Sequence, residues 1–127
     1  MSAASAARFR AAVEAGDLEV ALSLFADDVL FHSPVVHRPY QGKEALGTVL
    51  RAVFTVFENF RYTAEYGGPD GHVLSFRAEV DGLELEGVDI LRATPDPDDP
   101  ITELTVLIRP YSAATAVKER MAAQLRD

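Results

Sequence analysis

The sequence predicts an α+β fold in which a curved antiparallel sheet, apolar on its inner face, is closed into a cone by N-terminal helices. Three observations predict it. Apolar residues recur at helical spacing over most of the chain up to Glu58, and from Phe60 to Arg109 come segments that alternate. Helices that come first and consecutive antiparallel strands that follow are the α+β order. Each strand also has one apolar side, which one layer of helices can cover.

The elements follow in order. Ala4 to Ala15 reads as an alanine-rich helix with Phe9 and Val13 on one face, stopped by Gly16. Asp17 is suited to cap a second, short helix, with Leu18, Ala21, Leu22 and Phe25 at helical spacing, which runs out at Asp27-Asp28. Val29 to Ser33 reads as a brief apolar strand ended by Pro34, and Pro39 and Gly42 mark the next stretch as a loop. Lys43 to Glu58 is the clearest helix, with Leu46, Val49, Leu50, Val53, Phe54 and Phe57 on a three-four spacing. Phe60 to Tyr66 and His72 to Val80 read as strands, the latter with Leu74, Phe76, Ala78 and Val80 on one side. Asp81-Gly82 is a two-residue hairpin signal leading into a strand from Leu83 to Ala93. The proline- and aspartate-rich stretch Thr94 to Pro100 must be an exposed connection. Ile101 to Arg109 is the last strand, with Leu104, Val106 and Ile108 facing one way. Pro110 ends it, and Ser112 can cap a final helix carrying Val117, Met121 and Leu125.

Composition narrows the function classes. The 127 residues are expected to form one domain, 1–127. A formal charge of −8 without a Lys/Arg cluster repels phosphate backbones, so no nucleic-acid partner is expected. The absence of cysteine excludes a disulfide framework, a thiol nucleophile and a Cys-based zinc site. The N-terminus lacks the pattern of a signal peptide, and no apolar run is long enough to cross a membrane, so a soluble cytoplasmic protein is expected.

The residue that organises the rest is Asp89. Period two puts it on the same strand face as Leu85, Gly87 and Leu91. A carboxylate taken out of water without a partner costs several kcal/mol, or stays protonated through a raised pKa. Asp89 is therefore a candidate acid or base near neutral pH. As a structural residue it would instead be satisfied by a backbone amide, a tyrosine or an arginine such as Arg109. His32, within the apolar strand, is a candidate assisting base, whereas His37 beside Arg38 reads as an exposed loop residue. These two histidines lack a third ligand, so no metal is expected. Ser33 has no nucleophile-elbow context, and Glu79, Glu84 and Glu86 lie on the strand faces opposite the apolar ones.

Together these segments resemble the NTF2-like superfamily, in particular its SnoaL-like and ketosteroid-isomerase-like branch. The resemblance runs from about Arg8 to Tyr111. It rests on Ala15-Gly16-Asp17-Leu18-Glu19, Phe25-Ala26-Asp27-Asp28-Val29, Pro34 followed by Gly42-Lys43-Glu44-Ala45, Gly87-Val88-Asp89-Ile90-Leu91-Arg92 and Ile101-Thr102-Glu103-Leu104. It implies a cone-shaped (cystatin-like) α+β barrel, commonly a homodimer through the sheet, with a pocket between sheet and helices. On that resemblance the pocket takes a small apolar molecule and is expected to be lined by Phe9, Ser33, Tyr40, Phe54, Phe57, Phe76, Leu104, Val106 and Ile108. No cofactor is implied.

The position of Asp89 looks like that of the protonated oxyanion-hole aspartate of ketosteroid isomerases. The isomerase's base, an aspartate before a proline, is Ser33 here, and its tyrosine in the first helix is Phe9, so the usual steroid isomerisation is not expected. The arginine that limonene-type epoxide hydrolases carry two residues before the strand aspartate is Gly87 here. A single pocket aspartate acting as base, helped by a histidine, is the arrangement of SnoaL-type cyclases, and Asp89 with His32 matches that description. The expectation is a cofactor-free isomerase, cyclase or hydratase acting on a carbonyl compound. The alternatives are a non-catalytic binding module and a dimeric interaction domain of the same fold.

Overall fold

The computed structural model describes residues 1–126. It contains α1 (Ala3–Glu14), α2 (Leu18–Ser23), β1 (Phe25–His32), β2 (Tyr40–Gln41), α3 (Lys43–Val56), β3 (Glu58–Gly68), β4 (Gly71–Val80), β5 (Leu83–Arg92), β6 (Ile101–Arg109) and α4 (Tyr111–Arg126). The six strands form one curved, unclosed sheet in the order β2-β1-β6-β5-β4-β3, antiparallel except that β1 runs parallel to β6. The fold is thus the α+β cone that the helix-then-strand order predicts.

Alternation decides what is buried. Leu74, Phe76, Ala78 and Val80 of β4, Leu85 and Leu91 of β5 and Leu104 of β6 all turn inward. Against them α3 sets Leu46, Val49 and Leu50, and α1 sets Ala6 and Phe9. Burying a side chain such as Leu46 contributes roughly 1.5–3 kcal/mol. The Asp81-Gly82 turn has both residues at positive φ (50° and 79°), the conformation that a tight two-residue hairpin requires.

Several boundaries differ from the expectation, and three of them bear on how the cone is built. Phe25 opens β1 instead of ending the second helix. Leu24 is the C-cap of α2, its carbonyl accepts from the Ile101 amide at 2.9 Å, and Phe25 enters register with Ile101. Its ring then packs edge-on against Phe9 at 5.7 Å. Within the expected loop, Tyr40 and Gln41 pair with Phe31 and Leu30 as β2. The last helix starts at Tyr111, ahead of Ser112. It packs against α3 and β6, so it belongs to the body of the cone.

Candidate functional site

The helices do not fill the cone. A cavity of about 640 Å³ remains between the inner sheet face and the helices, closed at one side by α4. Its wall is built mostly from apolar side chains: Phe9 and Val13 of α1, Val53 and Phe54 of α3, Phe60 of β3, Phe76 of β4, Val106 and Ile108 of β6, and Val117, Met121 and Leu125 of α4. The aromatic part is one connected stack. Phe60 lies 4.9 Å from Phe76 and 6.1 Å from Phe57, and meets Tyr62 edge-on at 5.0 Å.

Two titratable groups stand in this wall side by side. Asp89 projects from the middle of β5 and is 8 % exposed. The Tyr62 hydroxyl of β3 donates to Asp89 Oδ2 at 2.7 Å. Strand register explains the meeting. Tyr62 pairs with Phe76, which pairs with Gly87, two residues from Asp89 on the same face. The phenol therefore only has to reach diagonally across β4. Gly87 leaves room for the ring in between, because a Cβ there would lie 2.6 Å from the Phe76 ring and would also strike the Leu107 carbonyl oxygen.

Burial pushes the Asp89 carboxyl up to about 7, and the Tyr62 hydrogen bond works against that rise. Tyr62 is held far above the usual phenol range, first by burial and then by the negative charge that Asp89 carries when ionised. The first proton to leave is thus the one on Asp89, and Tyr62 stays a neutral donor. No described side chain or amide bonds Asp89 Oδ1, and Asp89 lines the cavity.

The structure brings Asp89 together with all nine apolar, aromatic and hydroxyl residues expected on the pocket wall: Phe9, Ser33, Tyr40, Phe54, Phe57, Phe76, Leu104, Val106 and Ile108. It does not bring His32 there. Phe31 takes the inward position of β1, so period two turns His32 outward, where its Nε2 lies 2.7 Å from Glu103 Oε1. Arg109 is also elsewhere, bonded to Glu86. The partner of Asp89 is Tyr62, which the sequence reading did not single out. The signal was its inward parity with Phe60 on the same strand. The Ser33 hydroxyl accepts from the Val36 amide at 2.9 Å within the loop turn and is a turn residue as well as a wall residue. Among the described residues no group of three or more His, Cys, Asp or Glu is placed to hold a metal ion. No described helix is long and apolar enough to cross a membrane.

The cone, its buried Asp89–Tyr62 pair and its mostly apolar wall define a class of α+β proteins with an internal cavity. The SnoaL-like domain family matches residues 6–117, and the chain belongs to it. A crystal structure described as a steroid delta-isomerase from Pseudomonas aeruginosa is 34% identical, covering 98% of this chain and 90% of that one, with a TM-score of 0.89. A bacterial protein with a cystatin-like fold from Silicibacter pomeroyi is 30% identical over 94% of this chain and 84% of that one, TM-score 0.87. An NTF2-like protein from Burkholderia xenovorans shares the fold at 15% identity, covering 87% and 88% of the two chains, TM-score 0.68. A comparison with curated proteins found no match. The chain is thus a SnoaL-like protein whose fold is that of the NTF2-like proteins.

Proposed function

We propose that the protein binds a small apolar carbonyl compound in its cavity and shifts a proton on it, with Asp89 as the acid–base group and Tyr62 as its hydrogen-bond partner. The observation that carries this reading is a buried carboxyl in a mostly apolar cavity wall, one oxygen held by Tyr62 and the other free, whose burial pushes its pKa up to about 7. A base works best when its pKa lies near the working pH. The likeness to a steroid delta-isomerase at 34% identity supports an isomerase over other chemistries.

The step balances without a cofactor. Ionised Asp89 takes a proton from the carbon next to the carbonyl through Oδ1. The C–H electron pair moves into the enolate, and the carbonyl oxygen gains the charge. Asp89, now a carboxylic acid, returns the proton at the same carbon or at a conjugated one. Tyr62, no longer needed by a charged carboxylate, is free to donate toward the enolate oxygen. The usual two-residue route is closed, because Ser33 is tied into its turn and Phe9 carries no hydroxyl.

A second reading keeps the ligand and removes the turnover: protonated Asp89 anchors a carbonyl that is merely held. The missing second base favours it. Cyclic ketones and enones incubated with the protein in D₂O separate the readings by NMR. Exchange of protons next to the carbonyl, abolished in Asp89→Asn, is expected. Binding without exchange leaves the holding function, and absence of binding sinks both readings.

The same reading expects a homodimer through the outer sheet face. There Val88, Ile90 and Leu107 form an apolar strip flanked by the Arg77–Glu86–Arg109 ion pairs, and Leu107 is 53 % exposed.

A further inference from the structure

Tyr62 is contacted from outside the cavity wall as well as from within. The Arg10 guanidinium of α1 lies over the Tyr62 ring, 5.8 Å from its centroid, and Arg10 is not part of the cavity wall. One helical turn later Glu14 pairs with that guanidinium, with Arg10 Nε donating to Glu14 Oε1 at 3.0 Å. A continuous line therefore runs from the half-exposed rim of α1 to the buried acid: Glu14, Arg10, Tyr62, Asp89.

We propose that Arg10 is a positioning residue for the acid. Its guanidinium, laid on the Tyr62 ring, sets how strongly the Tyr62 hydroxyl donates to Asp89. A cation over a phenol ring draws electron density toward its face and makes the hydroxyl a better donor. A better donor stabilises the ionised carboxylate and makes Asp89 easier to deprotonate. Glu14 acts with the opposite sign, because its charge opposes that of Arg10. The two residues thus bracket the pH at which Asp89 becomes a base.

The other elements around the pair add little charge. The cavity-wall residues of α3, β4 and β6 carry none, β2 contributes Tyr40, and α4 contributes the exposed Lys118. The inference rests on the proposed role of Asp89 for its meaning in catalysis. Its test needs no substrate.

The test is the titration of Asp89 in the ligand-free protein, followed by ¹³C NMR of its carboxyl carbon and assigned through Asp89→Asn. Arg10→Met keeps the packing stem and removes the charge. It is expected to raise the Asp89 midpoint by about half a pH unit, a roughly threefold tighter hold on the proton. Glu14→Gln is expected to lower the midpoint by a smaller amount, and Arg10→Lys to stay near the wild type. Because the influence travels through the phenol, the Arg10→Met shift should shrink to less than a third of its size in a Tyr62→Phe background. An unchanged midpoint in Arg10→Met overturns the proposal, and so does an equal shift with and without the Tyr62 hydroxyl. Shifts as expected in a protein that neither binds nor exchanges any ketone leave this proposal standing while the functional reading falls.

Discussion

Tyr62 and Asp89 are 27 residues apart in the chain, and the phenol of one donates to the carboxyl of the other at 2.7 Å. The pair forms a polar joint in an apolar wall, and its hydrogen bond changes character with one proton. While Asp89 is ionised the bond is charge-assisted and strong; once Asp89 is protonated it is an ordinary neutral bond. Stability at this site is coupled to that proton, and so are the binding and chemistry proposed for it.

Stability should therefore fall as pH rises toward neutrality. Asp89 ordinarily titrates near 3.8 and does so at about 7 in the folded protein. Above pH ~4 the unfolded chain gives up this proton while the folded one keeps it. The stabilising contribution is full below that point and is lost as pH rises through about 7, by on the order of 4 kcal/mol in all. Asp89→Asn removes the dependence. Urea unfolding at pH 5 and pH 8 should find the variant at least as stable as the wild type at pH 8, by about 1 kcal/mol. A loss of about 3 kcal/mol at pH 8 would mean that Asp89 anchors a network that the amide cannot replace.

Tyr62→Phe has the opposite pH signature. At pH 8 it strips the donor from a buried ionised carboxylate, at a cost of about 2–3 kcal/mol; at pH 5 it removes a neutral hydrogen bond worth about 1 kcal/mol. The same difference moves the Asp89 midpoint further up. Equal destabilisation at the two pH values would sink the idea that the phenol serves the charged form.

Much of this was legible in the chain. The alternation from His72 to Val80 and from Leu83 to Ala93 gives the buried face directly, and with it the inward placement of Asp89. The spacing in Lys43 to Glu58 likewise gives α3, to within two residues at its end. The pairing of β1 with β6 was hidden, because Phe25 meets Ile101 only through a parallel contact between distant segments, for which local periodicity has no signal. The orientation of His32 was hidden for a different reason. Val29, Leu30 and Phe31 are apolar in succession, so the strand carries no alternation to tell its faces apart. Tyr62 is placed by the register across β4, and bulges interrupt the pairing of β3 on either side of it.

His32 provides a clean negative control. It pairs with Glu103 on the face opposite the cavity, and both side chains are about one-third exposed (34% and 32%). His32→Gln should leave the affinity for a bound ketone within twofold and the Asp89 midpoint in place, with a stability change below about 1 kcal/mol. A tenfold loss of ketone affinity, read by fluorescence displacement, would place this histidine back in the functional machinery.

Leu107→Glu should act on assembly alone. The residue is exposed on the outer sheet face beside Val88, its register partner. A charge at the centre of the apolar strip costs a dimer several kcal/mol and leaves the monomer's core untouched. Sedimentation velocity should show a dimer for the wild type and a monomer for the variant, with the same unfolding midpoint when both are measured as monomers. A wild-type monomer at tens of micromolar would remove the dimer from the reading.

Gly87 is where the geometry of the wall and its chemistry meet. The Phe76 ring and the backbone of β6 close over the spot where a side chain would start. A Cβ 2.6 Å from that ring has to displace it, and the ring is stacked on Phe60 and packed near Phe57. The backbone oxygen of Leu107 on the other side cannot yield without disturbing the β5–β6 ladder. Gly87→Ala should therefore cost about 2–3 kcal/mol by urea unfolding, the scale of overpacking in a closed core. It should also lengthen the Tyr62–Asp89 bond, since the displaced Phe76 lies in register between the two strands, and so raise the Asp89 midpoint. A Gly87→Ala protein with wild-type stability and an unmoved midpoint would mean that the ring is free to step aside, and that the aromatic wall does not hold the acid's partner in place.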